Sequence, residues 1–353
     1  MKFSISLIPE VPPQRAAAIA KSAEANGVYG FWVTDQIYNR DLWMTLAACA
    51  LETKKIRLGP GVTNVILRDP TFVAQSIGTL DQMAPRRTFC GISIGDPNIL
   101  NHYGHLPPLN ELKPFARLRE SMEVIRALIH DGKLNFNGQL LKYSNIIPFS
   151  ATTKNVVPLY IGGMGGPKSF QLAGEIGDGV TSAMGCSREY HEYVVENTAL
   201  AARKANRENK KLPYAAWTIF CCARRSEDAM EAARNLLTLL IPSMPSQQVK
   251  LNGVSPEAVQ PVLEAFAKGD IKTAIKLTSD ELVEKFSVSG SPDEVIEKLE
   301  KNFTAGGVDE IVACIVDPVT VASMLGVKIK NVAGYPENLR LIKRRVMPHI
   351  KSS

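Results

Sequence analysis

The chain has 353 residues and a formal net charge of +6, with 45% hydrophobic and 22% charged residues. This composition is typical of a globular protein, and the length allows one large α/β barrel or two domains. The basic residues are scattered rather than arranged in a stripe with interleaved aromatics, so we expect no nucleic acid partner. No apolar run approaches the ~18 residues of a membrane span, so we expect no membrane association.

The six cysteines form neither a CxxC motif nor a Cys/His spacing that suits zinc, and the five histidines form no metal motif. Most of the cysteines lie in apolar runs, which is typical of small buried side chains that stay reduced. The first ten residues, MKFSISLIPE, are too short and too interrupted for a signal peptide. We therefore expect no metal site and a cytoplasmic protein.

The first half of the chain alternates predicted strands and helices. The predicted strands are 3–8, 30–34, 55–59 and 88–95. The predicted helices are 12–26, 42–53, 70–84 and 115–129. Gly27 is placed to end the first helix, and Asp69 with Pro70 predicts an N-cap and a first-turn proline for the third. A loop rich in Pro, Asn and His is expected at 97–113.

The same alternation continues in the second half. The predicted strands are 157–163, 178–185, 214–223 and 309–316. The predicted helices are 168–176, 187–208, 226–241 and 291–303. Ser291 and Glu294 have the spacing of a capping box at the start of the last helix. Residues 242–290 break the rhythm and predict extra short helices.

Eight strands in alternation with about eight helices predict parallel strands with crossover helices. The count favours a closed (β/α)8 TIM barrel, and a doubly wound open sheet is the alternative. We expect one barrel domain over residues 1–318, with insertions near 97–113, 131–157 and 242–290. Residues 319–353 are expected to form a C-terminal extension that packs on the barrel.

In such a barrel the functional residues follow the strands. Asp35, Gln36 and Tyr38 follow the second predicted strand, and the irregular turn GPGVTN at 59–64 follows the third. Gly95 and Asp96 follow the fourth. Asp96 could present a carboxylate in the barrel mouth, or it could be a helix N-cap before Pro97, and the pattern does not decide between them.

A glycine-rich segment, GGMGGPKS at 162–169, leads from the fifth predicted strand into a helix. Glycines let a backbone approach a ligand closely, and a helix N-terminus presents free N–H groups to an anion. The segment is neither a Walker A loop nor a GxGxxG fingerprint. It therefore indicates either a phosphate site or a flexible strand-to-helix turn.

Two longer segments resemble known families. IRLGPGVTNVILRDPTFVAQSIGTLDQMAPRRTFCGISIGD resembles the bacterial-luciferase-like superfamily, whose members are TIM barrels that use reduced flavin or the deazaflavin coenzyme F420. VPLYIGGMGGPKSFQLAGEIGDGV is similar to the phosphate-side segment of that superfamily. AKGDIKTAIKLTSDELVEKFSVSGSPDEVIEKLEKNFTAGGVDEIV is similar to archaeal 5,10-methylenetetrahydromethanopterin reductases. The resemblance extends over residues 2–318.

The resemblance implies an enzyme of one-carbon metabolism and methanogenesis that transfers hydride between reduced F420 and a methylene-tetrahydropterin. It implies F420 as the cofactor, with FMN as the alternative, and a homo-oligomer, either a dimer or a tetramer. It also implies a cis peptide bond between Gly61 and Val62. The implied cofactor-binding residues are Asp35, Gly61, Val62, Thr63, Asn64, Gly95, Gly162, Gly163, Met164 and Gly165.

The implied substrate residues are Gln36, Tyr38 and Asp96, and the implied catalytic positions are Asp96 and Ser6. Two of these positions depart from the reductase pattern. Ser6 stands where the family has a glutamate in the first strand, and Gln36 stands where it usually has a histidine. Three alternatives therefore remain: the reductase, another F420- or FMN-dependent oxidoreductase or monooxygenase, and a paralogue that has altered chemistry or binds a cofactor or partner without catalysis.

Overall fold

The computed structural model describes residues 1–148, 150 and 152–350. The strands are β1 Lys2–Leu7, β2 Gly30–Val33, β3 Arg57–Pro60, β4 Thr63–Asn64, β5 Cys90–Ser93, β6 Leu134–Asn137, β7 Lys142–Ile146, β8 Leu159–Gly163, β9 Gly179–Ala183, β10 Tyr214–Cys222, β11 Ser287–Gly290 and β12 Glu310–Ile315. The helices are α1 Pro13–Ala25, α2 Leu42–Glu52, α3 Pro70–Met83, α4 Pro97–Leu100, α5 Pro114–Arg126, α6 Pro167–Ile176, α7 Arg188–Lys204, α8 Ser226–Leu240, α9 Ser246–Leu251, α10 Pro256–Ala267, α11 Ile271–Leu277, α12 Asp280–Phe286, α13 Pro292–Lys298, α14 Pro318–Leu325 and α15 Tyr335–Arg345.

The main sheet is parallel and closes on itself. Its strand order is β3-β2-β1-β12-β10-β9-β8-β5-β4. β3 and β4 are two parts of the third barrel strand, which is interrupted between Pro60 and Thr63. β3 pairs with β2, β4 pairs with β5, and a parallel bridge joins Leu58 to Thr88. The predicted (β/α)8 barrel is confirmed, and the open-sheet alternative is wrong.

Local signals in the sequence fix the ends of several helices. Asp69 accepts a hydrogen bond from the Thr71 N–H at 2.9 Å and caps α3, with Pro70 in its first turn. Ser291 and Glu294 form the predicted capping box of α13. Such side chains satisfy N–H groups that have no partner within the helix. Gly27 follows α1 with a φ of +79°, a conformation that favours glycine.

The apolar core has two layers. Alternate residues of the barrel strands face either the surrounding helices or the barrel interior, where Trp32, Phe89, Tyr160, Ala215 and Val312 pack together. All six cysteines are free and buried, as the sequence predicts. None of the helices in the described part of the chain is long and apolar enough to span a membrane.

The insertions differ in structure. Residues 97–113 contain the single turn α4, and residues 131–157 contain the antiparallel hairpin of β6 and β7. Residues 242–290 contain helices α9 to α12, as predicted, and then β11, which was not predicted. β11 pairs with residues 219–222 of β10. β10 is long enough to extend beyond β9, and a four-residue strand fills the edge that would otherwise lack hydrogen bonds.

Candidate active site

A cavity of about 650 Å³ opens where the barrel strands end. Its walls come from the loops after β2, β4, β5, β8 and β9 and from the start of the 242–290 insertion. The predicted site residues that line it are Asp35, Gln36, Gly61, Val62, Asn64, Gly95, Asp96, Gly162, Gly163, Met164 and Gly165. Ser6, Tyr38 and Thr63 are not among the lining residues. The volume is within the range of small-molecule and cofactor sites.

The turn after β3 places a valine side chain in the barrel interior. The peptide bond between Gly61 and Val62 is cis, as the family resemblance implied. A Cβ atom at Gly91 would lie 2.7 Å from Val62 Cγ1, and one at Gly162 would lie 3.2 Å from the same atom. Glycines on two neighbouring strands therefore make room for Val62 in the cavity wall. Asn64 stabilises the rest of the turn, because its Oδ1 accepts the Leu67 N–H at 2.8 Å.

Asp35 links the loop after β2 to the turn after β4. Its Oδ2 accepts hydrogen bonds from Thr63 Oγ1 at 2.6 Å and from Arg68 Nε at 2.7 Å. Arg68 Nη2 also donates to Asp35 Oδ1 at 2.9 Å and to Asp41 Oδ2 at 3.0 Å. The hydrogen bonds to Asp35 raise the pKa of Arg68. Both oxygens of Asp35 are thus engaged with the protein, and Arg68 supplies a permanent positive charge to this wall.

The glycine-rich turn is packed against protein on one side and open on the other. A Cβ atom at Gly163 would lie 2.6 Å from Ser169 Cβ, and one at Gly165 would lie 2.9 Å from Gln248 Cβ and Gln248 N. At Gly166 no atom lies within 4 Å of an added Cβ. Gly166 is also the N-cap of α6, and no side-chain hydrogen bond caps this helix. Its first N–H groups are therefore available to an anion in the cavity.

Asp96 has both of the roles between which the sequence did not decide. Its Oδ1 accepts the Asn98 N–H at 2.9 Å and caps the short helix α4. The half-buried carboxylate also lines the cavity. Asn98 in turn donates to the Pro242 carbonyl at 2.9 Å, which connects this loop to the 242–290 insertion. A carboxylate held in this way can contact a ligand through its second oxygen.

Ser6 lies on β1 in register with Trp32 of β2, but it does not line the cavity. The residue is 0% exposed, and its hydroxyl has no hydrogen-bond partner among the described residues. Its carbonyl accepts a hydrogen bond from the Tyr335 hydroxyl at 3.3 Å. Tyr38, by contrast, is 65% exposed at the outer rim, 6.2 Å from the His102 ring.

The sequence did not single out several lining residues that carry polar groups, among them Trp32, Asn39, Arg40, Arg68 and Trp217. The sequence could have indicated Arg68, because it is the only charged residue of the turn before the helix N-cap Asp69. The indication for Trp217 is weaker. Successive side chains of a strand point to opposite faces, but this alternation does not say which face is inward. Arg40 lies shortly after the predicted site residues 35–38 but has no pattern of its own.

The closed parallel barrel and the cavity at its carboxyl end define a class of enzymes that bind ligands in the loops after the strands. The chain belongs to the luciferase-like monooxygenase family, whose model matches residues 1–310.

Within this family the similarity extends over the whole chain. A 5,10-methylenetetrahydromethanopterin reductase of Archaeoglobus fulgidus is 31% identical, covering 99% of this chain and 100% of that protein. Its namesake from Methanopyrus kandleri is 29% identical, covering 99% of each. The solved structure of the coenzyme F420-dependent tetrahydromethanopterin reductase from Methanopyrus kandleri has a TM-score of 0.85 at 27% identity and covers 99% of both chains. The resemblance inferred from the sequence motifs is confirmed.

Proposed function

We propose that this protein is an F420-dependent oxidoreductase that transfers hydride between reduced F420 and methylene-tetrahydromethanopterin, giving the methyl-pterin in one-carbon metabolism. The observation that carries this proposal is the full-length similarity to reductases of that name, in sequence and in fold. The cavity supports it, because the turn at 59–64 and the glycine-rich turn at 162–166 line one continuous space.

The residues present fit a phosphate-bearing deazaflavin. Gly166 offers open space beside the uncapped N-terminus of α6, which suits the phosphate. Gly61, Val62 and Asn64 form the wall on which the ring would rest, and the hydrogen bond from Thr63 to Asp35 anchors that wall. When bound in its reduced form, F420 supplies the hydride for the methylene carbon of the pterin.

The remaining cavity surface supports a pterin substrate. Gln36 Oε1 accepts a hydrogen bond from Asn39 Nδ2 at 2.9 Å. The side-chain NH₂ group of Gln36 and the side-chain oxygen of Asn39 can therefore bind a ligand. Both residues line the cavity. A donor next to an acceptor is complementary to the amide edge of a pterin ring. Tyr38, at the rim, is placed to contact the more distant part of such a substrate.

Asp96 is our proposed proton donor. Reduction of the methylene carbon separates it from a ring nitrogen, which needs a proton as the bond breaks. The carboxyl group of Asp96 is the acid that lines the cavity from the loop after β5, and its N-cap bond to Asn98 holds it in one orientation. Ser6 cannot take this role, because a serine hydroxyl is not acidic near neutral pH and this one lies outside the cavity.

We also propose a homo-oligomer, a dimer or a tetramer. Three large apolar side chains on the adjacent helices α2 and α3 are exposed, Met44 at 69%, Leu51 at 77% and Phe72 at 67%. Exposed apolar patches of this kind mark interfaces. Light scattering should give at least twice the mass of one chain, and Leu51→Glu should lower that mass. Leu200→Glu, at an exposed apolar position of α7, is the matched control.

The six free, buried cysteines support a reducing compartment such as the cytoplasm. This part of the proposal predicts that the purified protein has six titratable thiols after denaturation without a reductant. Disulfides in freshly prepared protein would contradict it.

The cofactor is tested by titration of the purified protein with F420 and with FMN, each followed by its own fluorescence. We expect F420 to bind reversibly and FMN to bind much more weakly. Gly166→Val, which would fill the open space at the α6 N-terminus, should weaken F420 binding without changing the fold. Tight FMN binding with no F420 binding would favour a flavin-linked oxidoreductase instead.

A further inference from the structure

The floor of the cavity is an indole ring whose orientation is fixed from below. Trp32 lies on the inward face of β2, lines the cavity and is only 2% exposed. Its ring packs 4.2 Å from the Phe89 ring and 5.5 Å from the Tyr160 ring, measured between centroids. Trp32 therefore separates the cavity from the interior of the barrel beneath it.

The turn that carries the cis peptide bond rests directly on this indole. A Cβ atom at Gly61 would lie 2.8 Å from Trp32 Cβ and 3.0 Å from Trp32 Cε3. On the same side of the barrel, a Cβ atom at Gly91 would lie 3.3 Å from Trp32 Cζ3. Any rotation of the Trp32 ring would displace the backbone at Gly61, because protein interiors are close-packed and transmit such shifts.

One carboxylate holds the indole in place. Trp32 Nε1 donates a hydrogen bond to Glu310 Oε1 at 2.9 Å, and Ser4 Oγ donates to the same oxygen at 2.6 Å. Glu310 is the first residue of β12 and is 4% exposed. A hydrogen bond to a carboxylate in such a buried position is stronger than one between neutral groups.

The neighbourhood of Glu310 is polar and contains positive charge. The Arg57 guanidinium lies 5.3 Å from the centres of the Tyr29 and Phe89 rings and attracts Glu310 electrostatically. Burial raises the pKa of Glu310, whereas the bonds from Ser4 and Trp32 oppose this rise. The second tryptophan of the cavity differs, since the Trp217 indole nitrogen has no hydrogen-bond partner among the described residues. Of these two indoles, the one fixed by a carboxylate is the one beneath the turn.

We propose that Glu310 is a positioning residue for the cofactor site: by accepting the Trp32 indole N–H, it fixes the ring that supports the Gly61–Val62 turn. Glu310 does not line the cavity itself and acts through Trp32. This inference rests on the proposed function only in naming F420 as the ligand.

The bond is tested first in the ligand-free protein by ¹⁵N-indole NMR. The chain has three tryptophans, so three indole signals are expected, and they are assigned with Trp43→Phe and Trp217→Phe. We expect the Trp32 N–H proton to resonate downfield of the others and to exchange slowly with solvent. Glu310→Gln, which keeps an acceptor, should preserve slow exchange, whereas Glu310→Leu should abolish it. The matched control, Glu300→Leu at an exposed position, should leave the signal unchanged.

The second arm measures the affinity for F420, or for FMN if only FMN binds the wild type. Loss of the acceptor should weaken binding about tenfold in Glu310→Leu, as expected for one charged hydrogen bond, with little loss in Glu310→Gln. A folded Glu310→Leu protein with wild-type affinity would overturn the proposal. So would a Glu310→Gln protein that binds as poorly as Glu310→Leu.

If Glu310→Leu does not fold, Trp32→Phe replaces it, since phenylalanine keeps a ring but has no N–H. We expect Trp32→Phe to weaken binding about tenfold, because it removes the N–H group that Glu310 accepts. No loss of affinity in Trp32→Phe would overturn the proposal. A protein that binds neither F420 nor FMN would contradict the proposed function, and the slow exchange of the Trp32 N–H would still decide whether Glu310 holds the ring.

Discussion

Asp96 combines a structural bond with a proposed chemical role, and one substitution separates the two. Asp96→Asn keeps an oxygen that can accept the Asn98 N–H, so the α4 cap should survive. It removes the acidic proton, so turnover should fall by about 10²–10⁴-fold, the usual worth of general acid catalysis. The affinity for F420 should change little. Steady-state kinetics and an F420 titration measure the two effects.

Asp270→Asn is the matched control for this substitution. Asp270 also caps a helix, α11, by accepting the Thr273 N–H at 3.1 Å, but it does not line the cavity. We expect it to leave turnover unchanged. Full activity in Asp96→Asn would show that the proton comes from another group or from water.

The roles of single residues were harder to predict than their positions. Strand ends in the sequence located Asp35 and Asp96 correctly at the cavity. The pairing of Asp35 with Arg68 was not predictable, because the two lie 33 positions apart and only the barrel brings them together. The same holds for Trp32 and Glu310, which are 278 positions apart. Local patterns carry no information about such contacts.

Within the glycine-rich turn, we expect opposite effects from alanine substitutions at the neighbouring residues Gly165 and Gly166. An added Cβ at Gly165 would meet the Gln248 backbone and Cβ at 2.9 Å, so Gly165→Ala should push α9 away and lower the melting temperature. Gly166 has open space and an extended backbone, so Gly166→Ala should leave stability unchanged. Because its methyl group would point into the proposed phosphate site, Gly166→Ala should instead weaken F420 binding.

Thermal unfolding and F420 titration of both variants check this pair. The prediction fails if Gly165→Ala is as stable as the wild type, or if Gly166→Ala is destabilised. The sequence left open whether this segment is a phosphate site or a strand-to-helix turn, and the family resemblance implied that Gly163 and Gly165 bind the cofactor. The structure adds that a larger side chain at 163 or 165 would collide with Ser169 or Gln248, and these contacts could not be seen from the sequence.

Helix α7 contains a buried histidine that makes the fold sensitive to acid. His191 is 0% exposed, and its Nδ1 lies 2.8 Å from the Tyr214 hydroxyl. Burial lowers the pKa of His191 from 6.5 to about 3. The unfolded chain therefore binds a proton below pH 6.5 that the folded chain does not, and the free energy of unfolding should fall by about 1.4 kcal/mol per pH unit in that range.

Urea unfolding between pH 7.5 and 5 at fixed ionic strength should show this fall in the free energy of unfolding. The slope should develop over roughly one pH unit on each side of the pKa that His191 has in the unfolded chain. His191→Gln, which does not titrate, should have a flatter profile. His102→Gln, at an exposed position, should follow the wild type. A His191→Gln profile as steep as the wild type would show that other groups cause the acid sensitivity.

The fold of the whole chain follows from its alternation of strands and helices. For this reason the barrel was predictable. The period of apolar residues marks each element, and parallel strands with crossover helices leave few arrangements. Two features escaped this argument: the break in the third strand and the extra strand β11. Both depend on contacts with a neighbouring element. The break in the third strand depends on the turn over Trp32, and β11 depends on the length of β10.

We propose that residues 319–350, the described part of the C-terminal extension, are an integral part of a single domain with residues 1–318. Tyr335 at the start of α15 donates its N–H to Asp317 Oδ1 at 3.2 Å and its hydroxyl to the Ser6 carbonyl at 3.3 Å. Asn338 donates to the Cys222 carbonyl at 3.2 Å. Truncation after residue 333 should therefore expose β1 and β10 and lower the melting temperature by several degrees or more. An unchanged melting temperature would make the segment a separate appendage.

The central claim is hydride transfer from reduced F420 to methylene-tetrahydromethanopterin. Stopped-flow absorbance under anaerobic conditions follows it directly, because oxidised F420 appears as the methyl-pterin forms. We predict enzyme-dependent oxidation of F420 in equal amount to the methyl-pterin produced, with no reaction when reduced FMN replaces reduced F420. If the protein binds F420 but gives no oxidised F420 with this or any other methylene-tetrahydropterin, it is not a reductase of this class.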